Sequence, residues 1–340
     1  MKKILLIILL LFPFSLFADY TITSKDEILI NKVEQKIYKV IEISDNLTPE
    51  IVTNRIAEII IEEKLTWRMK SIFEKLIENI ENNYSINFEI KKTTWMESKY
   101  FAKQIDVFWV KIFATKKVGD NKIKHAATIM AEYLDSDENR VIDNPALIEK
   151  LKEQKAALIM FYDENDSENF FERESSDEFL EKYEVQDLYD VETRPNWFPH
   201  NKKSREFDAS IEEIFHLISS KWYSLIYNEH LWENDWSFLS MYMDIARWNT
   251  FYKIPQEYPE EAWYTYYDET CDYNCQLTEY FYWAFTSYLW GQDSTYRYDE
   301  IQDEWQLNTK EKLKQKDEVY NMFENIGDLL PNVLPDWEYR

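Results

Sequence analysis

The clearest alternation of apolar and polar positions lies in residues 208–220. Ile211, Ile214, Phe215 and Ile218 recur at i, i+3, i+4 and i+7, which predicts a helix with one buried face, and Asp208 or Ser210 stands where its N-cap belongs. At about 100° per residue, Glu212, His216 and Ser219 fall on a strip at the margin of that face, where a polar group is held rigidly and still reached.

Similar patterns run along the rest of the chain. Ser24 and Glu27 read as a capping box before Ile30, Val33 and Ile37; Thr48-Pro49 opens a second helix, and Ile72, Phe73, Leu76 and Ile80 mark a third. Residues 19–85 therefore predict an N-terminal helical module. Residues 101–114 change to a period of two with both faces apolar, which predicts one central or bulged strand. A helix is expected over 121–134, with His125 off its apolar stripe and read as a solvated or capping histidine, a ligand being the alternative. A short helix over 145–155 and an apolar strand over 157–162 follow. Residues 163–206, acidic and then rich in rings, predict a long surface excursion. Further helices are expected near 238–251, over 275–290 with Gly291 as the terminating residue, and as one pattern over 309–326. Together these predict an α+β fold: a small mixed sheet packed with several helices over 86–340, preceded by the helical module.

The ends and the composition narrow the function. Met1-Lys2-Lys3, then an almost unbroken apolar run to Phe17 and Ala18, predicts a cleavable signal peptide over 1–18, secretion or periplasmic export, and no stable membrane anchor after cleavage. The formal net charge is −25, which repels nucleic acid and anionic lipid and excludes both as main partners. With three glycines in the whole chain, Gly-rich phosphate loops are absent, while the many rings suit a groove for an extracellular peptide or glycan. The two cysteines, Cys271 and Cys275, predict a local disulfide in an exported chain, with a thiolate metal pair as the alternative.

Three stretches carry candidate chemistry. Glu212-Glu213-Ile-Phe-His216 has the spacing of a zinc helix with glutamate in place of the first histidine. Glu212 and His216, one turn apart, can ligate Zn²⁺, and Glu213 can act as general base on a bound water. The plainer reading is a solvated carboxylate pair beside a histidine. Glu279 is the one ionisable group in the predicted helix over 275–290; a buried carboxylate there needs a cation, a metal or a proton, so it is a third zinc candidate, or else a capping residue. Asp135, Asp137, Asn139 and Asp143, with the Val141 carbonyl, follow the ligand order of a calcium loop. Arg140 replaces its glycine and Ala146 its last glutamate, and the alternative is a helix cap at Asp143 or Asn144.

Read in order, Ile105-Asp-Val-Phe, His125-Ala-Ala, Tyr133-Leu-Asp-Ser-Asp-Glu-Asn, Val141-Ile-Asp-Asn-Pro145, Glu212-Glu-Ile-Phe-His-Leu-Ile, residues 264–272 and Thr278-Glu-Tyr-Phe-Tyr-Trp resemble a little-characterised family of secreted proteins with a zincin-like fold. The resemblance covers about 100–340. It implies a site helix bearing Glu213 and His216 with Glu279 facing it. Ser220 stands where the family often has His, and Arg140 where it has Gly. The expected function is an exported metal-dependent hydrolase of peptidase type. The alternative is a non-catalytic, calcium-stabilised binding protein whose groove is lined by Trp263, Tyr264, Tyr266 and Tyr267; a glycosidase ranks third, for want of a carboxylate pair at defined spacing.

Overall fold

The structure, a computed structural model, describes residues 88–339 except 95, 174–175, 196–206, 221–230, 232–236 and 328–329, together with Lys32, Lys36 and Ile59. The signal segment and most of the N-terminal module lie outside the described residues. Two compact units are distinguished: a large one made of 88–136 and 142–339, and a second to which residues 137–141 belong. No helix among the described residues is long and apolar enough to cross a membrane.

The large unit is α+β. A five-stranded mixed sheet runs in the order β1 (Lys91–Lys92), β2 (Lys103–Val107), β3 (Val110–Ala114), β4 (Ala156–Phe161), β5 (Glu184–Tyr189). The first two junctions are antiparallel and the last two parallel. The parallel crossovers need intervening helices, as expected for such connections: α1 (Asp120–Leu134) and α2 (Pro145–Glu153) between β3 and β4, α3 (Glu164–Phe171) and α4 (Asp177–Leu180) between β4 and β5. Every residue of β4 is buried, so both its faces must be covered. Ala157, Ile159 and Phe161 meet Phe170 of α3 and Phe179 of α4, with Phe101 and Phe113 in the same cluster. Alternation leaves Leu158 and Met160 for the other face, and α1 and the later helix α5 (Ala209–Ser219) pack on the sheet.

The remaining helices are α6 (Phe238–Ala246), α7 (Tyr273–Tyr288), α8 (Thr295–Ile301), α9 (Lys310–Lys316) and α10 (Val319–Ile326). Residues 263–265 run beside 304–306, with Thr265 N donating to Glu304 O at 2.8 Å and Gln306 N to Trp263 O at 3.0 Å.

Several sequence expectations are corrected here. Residues 101–114 form two strands, because Phe108 and Trp109 adopt φ of 45° and 73° and turn the chain back. Such a turn is normally announced by Asn-Gly, so two rings conceal it and shift the alternation by one. The excursion over 163–206 contains α3, α4 and β5. The pattern over 309–326 is two helices, interrupted at Asp317, whose carboxylate accepts from Val319 N, Trp263 Nε1 and Tyr280 Oη. At the end of α7 the left-handed residue is Trp290, φ 67°, and not Gly291.

Candidate functional site

The site is built on α5 and α7. Asp208 caps α5, accepting from Ser210 N at 3.3 Å and Ser210 Oγ at 2.6 Å. Its other oxygen bonds His125 Nε2 at 2.6 Å, and Arg194 N donates to the capping oxygen at 2.9 Å. His125 is therefore buried in a pair with the cap of α5 and not solvated: a residue off the stripe of α1 meets a neighbouring element instead of water. Tyr133 Oη donates to Ile211 O at 3.0 Å and ties α1 to α5. Phe215 then meets Phe281 of α7 edge-on and stacks on Phe285, with ring centroids 5.1 and 5.3 Å away. This aromatic seam sets the register of the two helices. Asp272 caps α7 by accepting from Cys275 N at 3.0 Å, and the Cys271–Cys275 disulfide holds the same turn.

That register brings Glu212, His216 and Glu279 together. Each can offer one ligand atom, and the three atoms lie within 4.8 Å of one another. His216 Nε2 is 3.7 Å from Glu279 Oε2. In a tetrahedral zinc site with bonds of about 2.1 Å, ligand atoms are roughly 3.4 Å apart, so small side-chain adjustments suffice. His216 is buried, and its Nε2 makes no hydrogen bond. A buried imidazole nitrogen without a partner, facing two carboxylates, fits a metal ion by donor chemistry as well as by distance.

Glu213 occupies a different place from the one expected of a general base. Its Oε2 accepts from Gln186 Nε2 of β5 at 2.6 Å and lies 3.7 Å from His216 Nδ1, the ring nitrogen opposite Glu279. The i, i+3 spacing on one helix puts it there. A carboxylate beside Nδ1 orients the ring and leaves Nε2 for a metal. Gln186 had no signal in the sequence, since nothing local ties a strand residue to a helix formed later.

The electrostatics are those of an acid cluster short of positive charge. Burial, and then the Glu279 charge, push Glu212 up to about 8. Burial likewise raises Glu279, with His216 opposing it. Burial works against a charged His216, but Glu279, Glu213 and Glu212 outweigh it and hold the imidazole up at about 10. The acidic field extends outward. Burial raises Asp187, helped by Glu213, and takes Glu192 to about 7, with Glu213 and Asp187 adding to it. Burial and the Glu279 charge also raise Glu304. The Tyr266 hydroxyl, beside Glu279, opposes in part the rise of that carboxylate.

The expected groove is only partly realised. Trp263 and Tyr264 are buried; the first donates to Asp317 at 2.9 Å and the second to Gln276 O at 2.6 Å. Their apolar bodies and polar tips are what a core ring with one satisfied hydrogen bond requires. Tyr266 stands at the acid cluster, and Tyr267 is exposed.

The calcium candidates divide between the two units. In the large unit, Asp143 Oδ2 accepts from Ser136 N and Oγ at 2.7 and 2.6 Å, and Asp135 accepts from Tyr339 Oη. In the other, Asn139 N donates to Asp137 at 3.2 Å and Val141 N to Asn139 at 2.7 Å. Arg140 has φ 71°, so the left-handed position that a calcium loop gives to glycine is kept by an arginine. Asn144 is the cap of α2, accepting from Leu147 N at 3.1 Å.

No protein-family model, curated protein or solved structure matches the chain.

Proposed function

We propose that the protein is an exported, metal-dependent hydrolase of peptidase type with a zincin-like catalytic unit. The observation that carries this reading is the convergence of Glu212, His216 and Glu279 across α5 and α7, with the buried His216 Nε2 unpartnered among them. Glu212, His216 and Glu279 would hold Zn²⁺, which when bound supplies a Lewis acid and a water acidic enough to react near neutral pH. Glu213, held by Gln186, orients His216 from the Nδ1 side and leaves Nε2 to the metal. Tyr266, beside Glu279, opposes part of the rise that burial imposes on that carboxylate. The long acidic field over Asp187, Glu192, Glu213 and Glu304 favours an extracellular peptide that carries positive charge. Calcium at residues 135–143 is a structural accessory in this reading.

Metal analysis of the purified full chain, paired with cleavage of an unstructured peptide mixture, tests it. One zinc per chain and cleavage are expected, and His216→Ala loses both. Absence of zinc after saturation and removal of excess metal overturns the reading.

A further inference from the structure

A second cavity lies in the large unit and shares no residue with the acid cluster. It encloses about 460 Å³, within the roughly 300–1,000 Å³ typical of small-molecule sites. Phe285, Tyr288, Trp290, Val333 and Leu334 line it together with Lys310. Asp336 is the one acid among its lining residues.

Two features of this cavity serve no evident purpose in the fold itself. Lys310 Nζ sits 3.7 Å above the Tyr288 ring and 3.9 Å from Glu324 Oε1, which already accepts from Tyr288 Oη at 2.7 Å. The Lys310 side chain is three-quarters buried, and its ammonium rests on that ring and in a loose ion pair with Glu324, although it carries three donors. Trp290, at the rim, is 40% exposed and holds φ 67°. A left-handed conformation costs a bulky residue of order 1–2 kcal/mol, and the adjacent Gly291 would have adopted it freely. An exposed indole is thus kept at the mouth of an apolar cavity at the expense of backbone energy, and Val333 beside it is 48% exposed as well.

We infer that this cavity binds a monocarboxylate with an apolar body, its carboxylate on Lys310 and its body between Trp290, Phe285 and the Val333–Leu334 segment. Charge complementarity selects the anion: Lys310 is the cation among the lining residues, and a carboxylate makes with it a charge-assisted hydrogen bond stronger than a neutral amphiphile can make. Rings and branched aliphatic side chains accept the remainder without a polar demand.

Calorimetry of the full-length protein with decanoate and with decanol tests this. Decanoate is expected to bind saturably and about tenfold more tightly than decanol, a difference of about 1.4 kcal/mol. Lys310→Met should melt within a few degrees of the wild type and bind the two alike. Trp290→Gly should weaken decanoate binding while its melting temperature stays level or rises, because the backbone strain is relieved. No saturable binding of decanoate, equal binding of decanol to the wild type, or undiminished binding of decanoate to either variant overturns the inference. Zinc content is unaffected in every arm, so the outcome is independent of the acid cluster.

Discussion

His216 Nε2 and Glu279 Oε2 face each other at 3.7 Å across the α5–α7 interface, and the imidazole nitrogen has no hydrogen bond. Left to themselves, two half-buried carboxylates and a buried imidazole must share protons to stay in contact. A divalent cation removes that requirement, and the geometry around His216 then makes separate demands on each neighbour.

Glu213 should matter to metal affinity without being a ligand. Its carboxylate lies on the Nδ1 side of His216 and is held by Gln186. Glu213→Gln should weaken zinc binding by about 10- to 100-fold, the range seen when a partner of a ligating histidine is removed. Gln186→Leu should act in the same direction and less strongly. Competition with a chelator of known affinity measures both. An unchanged zinc affinity in Glu213→Gln would show that the imidazole needs no such support.

Asp208 should be the most stability-sensitive polar residue near the site. It caps α5, pairs with His125 and accepts the Arg194 amide, all in a buried setting. Asp208→Ala removes the cap, worth about 1 kcal/mol, and strands the His125 and Arg194 groups, at about 1–3 kcal/mol for a buried unsatisfied group. A loss of about 2–4 kcal/mol in denaturant unfolding is expected. Asp208→Asn should recover part of it, because an amide oxygen still caps the helix.

The pH dependence of stability carries a signature of Glu192. Burial, reinforced by Glu213 and Asp187, raises its folded value from 4.5 to about 7. The folded state therefore binds more protons than the unfolded chain between those values. Its stabilising contribution is complete below about pH 4.5 and is lost as pH rises through about 7. Glu192→Gln keeps the oxygen that accepts the Tyr189 amide and removes the titration. Its stability should fall less steeply than the wild type between pH 5 and 7 when both are unfolded in urea. Parallel curves would mean that Glu192 titrates at its ordinary value.

Calcium should act on stability alone. If Asp135, Asp137, Asn139, the Val141 carbonyl and Asp143 bind Ca²⁺, the ion raises the melting temperature by mass action, and Asp137→Ala cancels the rise. A melting curve that does not move at millimolar calcium removes the loop from consideration.

Local order was legible in the sequence wherever a period or a cap carried it. The helix over Ala209–Ser219 with its Asp208 cap and the buried helix over Tyr273–Tyr288 follow from apolar spacing and from side chains that satisfy the first backbone amides. The same 3.6-residue period sets Glu212 one turn from His216. The disulfide was legible from the short spacing of its two cysteines.

What tertiary structure alone decided is which surfaces meet. Phe215 packs on Phe281 and Phe285, and this packing, which no local pattern encodes, draws Glu279 up to His216. The burial of His125 was decided the same way: its helix places it off the stripe, and Asp208 from a distant segment covers it. Trp263 and Tyr264, which resemble groove residues in sequence, became core because Asp317 and the Gln276 carbonyl satisfy their polar tips. The turn at Phe108-Trp109 was hidden because its left-handed backbone is held by the pairing of β2 with β3 and not by the intrinsic preference of its residues. Periodicity and capping are properties of neighbours in the chain, whereas contact between helices depends on a free energy of packing summed over residues far apart in sequence.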